Sequence, residues 1–163
     1  MQKSKYISLF KDITNRIAAE SKCAFIKVAT VFVRESHIIC TGVNGTAPGK
    51  ENCIDHFEKI WKEEIILVPF DEWLKAYDFR TLHKEWSLIN DIHAEQNAIA
   101  YASKEGISLK DCDIFCSYEP CQNCAKLLVP LKPKRIFYIN EYDKSMKETK
   151  EYIRSNEIEL IKI

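Results

Sequence analysis

Apolar residues open the chain at helical spacing. Ile7, Phe10, Ile13, Ile17 and Ala18 share one face, which predicts an amphipathic helix over about residues 3–20. Lys27 to Val33 (KVATVFV) is β-branched and almost wholly apolar, the pattern of a buried strand. Glu35-Ser36 is a tight connection, and His37 to Thr41 reads as the returning strand of a hairpin. Asn44-Gly45 and Pro48-Gly49 mark a polar loop. Residues 50–90 hold no single period. They read as a partly helical excursion over the core that carries Trp61, Trp73 and Trp86. Regular alternation follows: a helix over Ala94–Lys104 stopped by Gly106, a strand over Asp113–Tyr118, and a helix over Cys121–Leu131. A strand over Arg135–Asn140, a helix over Lys144–Ser155 and a last strand over Glu157–Ile161 complete the pattern. Strand–helix alternation at this spacing implies parallel crossovers with helices on both faces of the sheet. The expectation is a three-layer α/β/α sandwich with a five-stranded mixed sheet, the hairpin supplying its antiparallel pair.

Composition narrows the picture. A chain of 163 residues suits one domain with one core. An aromatic content of 11% excludes disorder as its main state, because such a chain has much to bury. The apolar run from Ile65 to Phe70 is far too short to span a membrane. Lys plus Arg and Asp plus Glu number 24 each, so no global basic field favours a nucleic-acid partner. Met1-Gln2-Lys3-Ser4-Lys5-Tyr6 leads into no apolar signal segment, so a cytoplasmic protein is expected, in a host's cytoplasm if the source is viral. Seven cysteines, an odd number in a chain with no mark of secretion, suggest metal ligation or a catalytic thiol more than a disulfide framework.

Two motifs carry chemistry. His93-Ala94-Glu95 opens one helix and Pro120-Cys121-Gln122-Asn123-Cys124 opens the next. Cys121 and Cys124 are three apart and share a helix face. One imidazole and two thiolates form a tetrahedral zinc set with one position left open, the pattern of catalytic zinc. Glu95 lies two residues from His93, about 200° around a helix. Both side chains reach one ion only at the helix end, where the backbone is not yet helical. Glu95 would then face the open position without ligating and act as a proton shuttle. A Cys-x-x-Cys pair alone also suits a redox motif or a structural zinc knuckle. The combination H-x-E…P-C-x-x-C is the known signature of zinc nucleobase deaminases.

From about Ser21 to Asp143 the chain resembles the deoxycytidylate (dCMP) deaminases, the phage type in particular, within the cytidine deaminase-like superfamily. Beyond the zinc signature, the resemblance rests on Ser21-Lys22-Cys23, Thr41-Gly42-Val43-Asn44-Gly45-Thr46 and Asn52-Cys53-Ile54-Asp55-His56. His83-Lys84-Glu85-Trp86-Ser87, Ile92 to Ile99 and Glu141-Tyr142-Asp143-Lys144 complete it. It implies hydrolytic deamination of dCMP to dUMP and ammonia, in which zinc activates a water for addition to C4 of cytosine. Glu95 would carry the proton to ring N3 and then to the leaving ammonia. It further implies a homo-oligomer, hexameric in many members, switched on by dCTP and off by dTTP, with contacts in the loop after Gly42 and around Tyr101 to Lys104.

The resemblance also carries a second, structural zinc onto Cys23, Cys53, His83 and Asp91. Four protein ligands would close that site to water and staple the excursion, at about residues 50–91, to a single deaminase domain over 1–163. The residue types alone allow a plainer reading, in which Cys23 and Cys53 are buried thiols and His83 and Asp91 are surface groups. Cys40, Cys112 and Cys116 read as core thiols.

Substrate contacts are expected at Asn44 for a sugar hydroxyl and at Lys27, Lys144 and the Asn-Gly amides for phosphate, with Tyr142 stacking or donating. The chain departs from the family pattern at Val28-Ala29-Thr30, at Val43 and at Glu119 before Pro120. These departures leave open a different zinc deaminase, acting on dCTP, a 5-modified dCMP, cytidine or tRNA adenosine. A non-enzymatic zinc-binding module is the rival from another class, and Glu95 is the residue that such a module does not need.

Overall fold

The computed structural model describes residues 4–64, 67–142 and 147–163. Helix α1 (Ser4–Ala18) is followed by β1 (Ala29–Arg34) and β2 (His37–Val43). The two strands form an antiparallel hairpin, turned at Glu35 and Ser36 with φ of 50° and 67°. Positive φ at both central residues is what a two-residue hairpin turn demands, and here two non-glycine residues bear it. A short β3 (Gly45–Thr46), helices α2 (Cys53–Glu63), α3 (Phe70–Trp73) and α4 (Tyr77–Asn90), and β4 (Asp91–Ile92) come next. The chain then runs through α5 (Ala94–Glu105), β5 (Asp113–Tyr118), α6 (Gln122–Leu128), β6 (Arg135–Asn140), α7 (Lys147–Ser155) and β7 (Glu159–Lys162).

The main sheet has the order β2-β1-β5-β6-β7. β1 runs antiparallel to both β2 and β5, whereas β5, β6 and β7 are parallel. This is the mixed five-stranded sheet the alternation predicts. Helices α6 and α7 are its crossovers. Helices α5, α6 and α7 cover one face, over Phe32, Cys40, Ala98, Ile114, Cys116, Leu128, Ile136 and Ile153. Helix α1 covers the other, laying Phe10 against Val31, Val33, Phe115 and Phe137. Strand period and helix period agree: odd residues of β5 point to α1 and even ones to α5.

The structure departs from the sequence expectations in a few places. The helix expected over Cys121–Leu131 ends at Leu128 and tightens into a 3₁₀ turn over Val129–Leu131, because Pro130 has no N–H to continue an α-helix. The last strand begins at Glu159, two residues late, after a turn with Glu157 at φ 62°. The helix expected from Lys144 begins at Lys147, and residues 143–146 lie outside the described residues. The excursion is more helical than its irregular pattern suggests. It surrounds a small aromatic core of its own, built from Phe57, Trp73 and Phe79 with Cys23 and Cys53. β3 and β4 pair into a separate two-stranded ribbon that the sequence reading does not foresee.

One close approach fixes α5 on the sheet. A Cβ on Gly42 of β2 would lie 2.2 Å from the Ala94 carbonyl oxygen and 2.6 Å from the Ala98 nitrogen. Only glycine lets the helix backbone come this near.

Candidate metal centre and active site

β4 delivers the chain to His93, the N-cap of α5, whose backbone is extended at φ −67° and ψ 155°. Its N–H donates to Gln96 Oε1 at 3.0 Å, half of a capping box. Cys121 is likewise the extended N-cap of α6, and Cys124 lies in that helix's first turn. The N-cap positions matter. They splay His93 away from the helix direction, so that Glu95 approaches the same region despite its two-residue offset.

The result is a tight cluster. His93 Nδ1, Cys121 Sγ and Cys124 Sγ lie within 4.8 Å of one another. The imidazole nitrogen is 3.5 Å from the first sulfur and 3.3 Å from the second. Ordinary Zn–N and Zn–S bonds meeting at a tetrahedral angle place the two donor atoms about 3.5 Å apart, so the donor set fits zinc in spacing as well as in type. Glu95 Oε2 is 3.4 Å from Cys124 Sγ, yet Glu95 stands outside the mutual three-residue cluster. Its side chain is only 4% exposed, and burial pushes its carboxyl pKa up. The Cys121 thiol is drawn down to about 4, first by the hydrogen bond with Cys124 and also by His93. Cys124 holds its proton more tightly, first because its S–H donates to Cys121 and then because it is buried. His93 is raised, chiefly by its hydrogen bond to Cys121. The cluster thus favours both anionic sulfur and a cation beside it.

A second cluster joins the excursion to the sheet. Cys23, Cys53, His83 and Asp91 bring their ligand atoms within 4.8 Å of one another. Cys23 Sγ is 3.3 Å from His83 Nε2. Backbone N–H groups of Ala24 and Phe25 donate to the sulfurs of Cys53 and Cys23 at 3.3 and 3.5 Å, as suits thiolates. Cys23 is lowered to about 4, mainly by the hydrogen bond with Cys53, while that same bond pushes Cys53 up. Asp91 Oδ1 is buried with no hydrogen-bond partner, and burial raises this carboxyl to about 6. A carboxylate oxygen without a hydrogen-bond partner, grouped with two sulfurs and an imidazole, makes a donor set of the type that zinc takes. His83 is buried, not a surface group.

The expected substrate contacts are less uniform. Asn44 Oδ1 accepts from Val28 N–H at 2.8 Å and from Ser21 Oγ at 2.7 Å, and its amide donates to the Ile26 carbonyl at 2.9 Å. Its side chain thus locks residues 21–28 against the loop after β2. Lys27 is exposed and donates to the Ala19 carbonyl just past α1, at 3.3 Å. Tyr142 follows β6, half-buried and engaged by neighbouring groups. Lys144 lies outside the described residues.

Sequence reasoning missed two polar residues. Ser21, 2% exposed, directs its hydroxyl at both the side-chain oxygen and the carbonyl of Asn44. Glu119, noted only as a departure, is 3% exposed beside the Pro-Cys motif. For Glu119 the signal was a charge wedged between an apolar strand and a proline.

With this geometry in view, comparisons place the chain among known proteins. The sequence model for the "cytidine and deoxycytidylate deaminase zinc-binding region" matches residues 3–140. The deoxycytidylate deaminase of Enterobacteria phage T4 is 34% identical over 162 residues, covering 90% of this chain and 84% of the relative. That of phage T2 is 34% identical over 163 residues, covering 90% and 86%. The crystal structure of dCMP deaminase from cyanophage S-TIM5 in complex with dCMP and dUMP superposes with a TM-score of 0.73 at 23% identity, covering both chains fully. That likeness bears on the fold.

Proposed function

The chain belongs to the family of zinc-binding cytidine and deoxycytidylate deaminases, and from that premise we propose that it converts dCMP to dUMP and ammonia. One observation carries the chemistry: a buried carboxyl, Glu95, stands 3.4 Å from a sulfur of a three-donor metal set without joining that set. A structural site has no use for such a neighbour.

His93, Cys121 and Cys124 would hold the ion, their two thiolate charges balancing Zn²⁺. When bound, zinc supplies the Lewis acidity that makes water nucleophilic near neutral pH. Glu95 moves the protons. It accepts one from the attacking water and gives it to N3 of the cytosine ring, then takes a second from the hydroxyl added at C4 and gives it to the departing amino group. Water adds at C4, the C4–N bond breaks, and ammonia leaves, so uracil and ammonia balance cytosine and water. A carboxyl raised by burial suits both halves of this relay, because its proton affinity lies nearer to working pH than that of an exposed glutamate.

Cys23, Cys53, His83 and Asp91 would hold a second zinc with no open position. It would staple the excursion, at about residues 50–91, into one deaminase domain. Its formal charge of one negative suits structure, not hydroxide generation. Asn44 is fixed by its three side-chain bonds and would offer its remaining amide N–H to a sugar hydroxyl. Tyr142, Lys27 and Lys144 remain the proposed phosphate-side contacts. Homo-oligomerisation and control by dCTP and dTTP are proposed on family membership. Among the described residues no helix is long and apolar enough to cross a membrane.

The test is ammonia release from dCMP, dCTP, 5-methyl-dCMP, cytidine and a dC-containing oligonucleotide, run in parallel on zinc-loaded protein. dCMP should react fastest. Preference for another member of the panel would move the substrate assignment, and no reaction with any would overturn the enzymatic reading.

A further inference from the structure

The relay leaves the buried carboxylate of Glu119 without a task. Glu119 sits two residues before the ligand Cys121, and its side chain has no solvent exposure. Neither carboxylate oxygen has a hydrogen-bond partner. The charge that faces it is Lys150 Nζ of α7, 3.4 Å from Oε1, and that ammonium lies 6.0 Å from the ring centre of Tyr138 on β6. A carboxylate taken fully out of water is costly to keep, and a single imperfect ion pair repays little of that cost. Such a group persists where it holds something in place.

What it holds is legible from its neighbours. The Glu119 N–H donates to the Asn140 carbonyl at 2.9 Å, extending the β5–β6 ladder by one rung. Asn140 returns a bond from its side chain to the Ser117 carbonyl at 2.9 Å. The backbone of Glu119 is therefore pinned to β6 and its side chain to α7. Pro120, with φ fixed by its ring, transmits that anchorage to Cys121. Cys121 itself is partly exposed; its sulfur meets His93 Nδ1 at 3.5 Å and its carbonyl accepts from Ala125 N–H at 2.8 Å, while the approach to it from β5 is set by the Glu119–Pro120 turn.

We propose that Glu119 and Lys150 are positioning residues for the active-site metal: their ion pair, buried at Glu119 and partly open to solvent at Lys150, ties the Pro120–Cys121 turn to α7 and holds the Cys121 sulfur at ligand distance. This rests on the functional reading above. It assigns a role to a residue at which the chain departs from the family pattern, and it makes α7 part of the metal site's support although α7 contributes no ligand.

The experiment follows zinc release from the holoenzyme to a colorimetric chelator, with Cys121→Ser identifying which release phase belongs to the active site. Glu119→Gln and Lys150→Met should each speed that phase, as loss of an outer support typically weakens metal binding about 10- to 100-fold. The phase from the other cluster should not change, which reports that the chain is folded. Glu119→Gln combined with Lys150→Met should release no faster than the faster single variant, since the two residues act through one bond. Lys150→Arg should restore slow release, and kcat should fall in the single variants while KM for dCMP holds. Unchanged release in both single variants, or additive effects in the double, overturns the pairing. If Glu119→Gln does not fold, Lys150→Met against Lys150→Arg decides the same point. A wild-type chain that takes up no zinc at Cys121 defeats the functional reading itself, and the positioning role with it.

Discussion

Glu95 and Ser21 show how much a single side chain can carry here. Glu95→Gln preserves the shape of the site and removes the proton relay. Turnover of dCMP should fall by at least about 10²- to 10⁴-fold, the usual worth of a positioned acid–base group, while metal analysis finds zinc still bound. Substantial residual turnover would show that the proton travels by another route. Ser21 works through structure. Its hydroxyl donates to Asn44 Oδ1 at 2.7 Å and accepts from Cys23 N–H at 3.2 Å, joining the loop after β2 to the segment that leads into the second metal cluster. Ser21→Ala should cost about 0.5–1.5 kcal/mol, read from the urea midpoint, and should raise KM for dCMP by loosening Asn44. An unchanged KM would separate Asn44 from substrate binding. The identity of these groups was only half visible in the sequence. Glu95 was legible because a carboxylate two residues from a histidine, upstream of Pro-Cys-x-x-Cys, has few other meanings. Ser21 was not, since a serine reveals its partner only when a residue 23 positions away folds against it.

At the scale of elements, the site depends on where two helices begin. His93 and Cys121 are both N-caps, so the positions of these candidate ligands are set by the docking of α5 and α6 as much as by the side chains. Gly42 controls the first of these dockings. Gly42→Ala places a methyl group against helix backbone, which cannot rotate away as a side chain would. Helix α5 must shift, and overpacking of this kind costs about 1–3 kcal/mol or more. The variant should melt earlier and lose activity although it alters no ligand and no proton carrier. If it kept both wild-type stability and wild-type activity, the close approach of β2 and α5 would have no functional weight. Elements with a strong period were read well from sequence: α1, β5 and β6 fall within two residues of expectation. The misses have physical causes. Pro130 converts the end of α6 into a tighter turn. The ribbon of β3 and β4 has two residues per strand, too few for alternation to show.

At the scale of the whole molecule, the sheet body and the aromatic core of the excursion are joined at one of the two candidate metal clusters. The sheet and its helices form the first body, with an apolar cluster on each face, and Phe57, Trp73 and Phe79 form the core of the second. The sequence could not show this division, because the aromatic residues of the excursion follow no single period and gather only by tertiary packing. Cys23, Cys53, His83 and Asp91 sit where the second core meets the first, drawing ligands from the segment before β1, from α2, from α4 and from β4. An ion there would close loops between segments up to 68 residues apart, from Cys23 to Asp91, and would stabilise the folded chain because only that chain presents the complete ligand set. Cys53→Ser should therefore reduce bound zinc from two ions per chain to one and leave the His93 cluster loaded. A loss of about 5 kcal/mol, modest for a structural zinc, would lower the melting temperature of a chain this size by roughly 10–20 °C. Zinc stoichiometry and calorimetry on the same samples check both. Activity at low temperature should survive in part, because the proton relay and its metal set lie in the other cluster. A fully active wild-type chain carrying a single zinc would leave the four residues as an ordinary buried polar contact, and the orphaned Asp91 oxygen would then need a different partner.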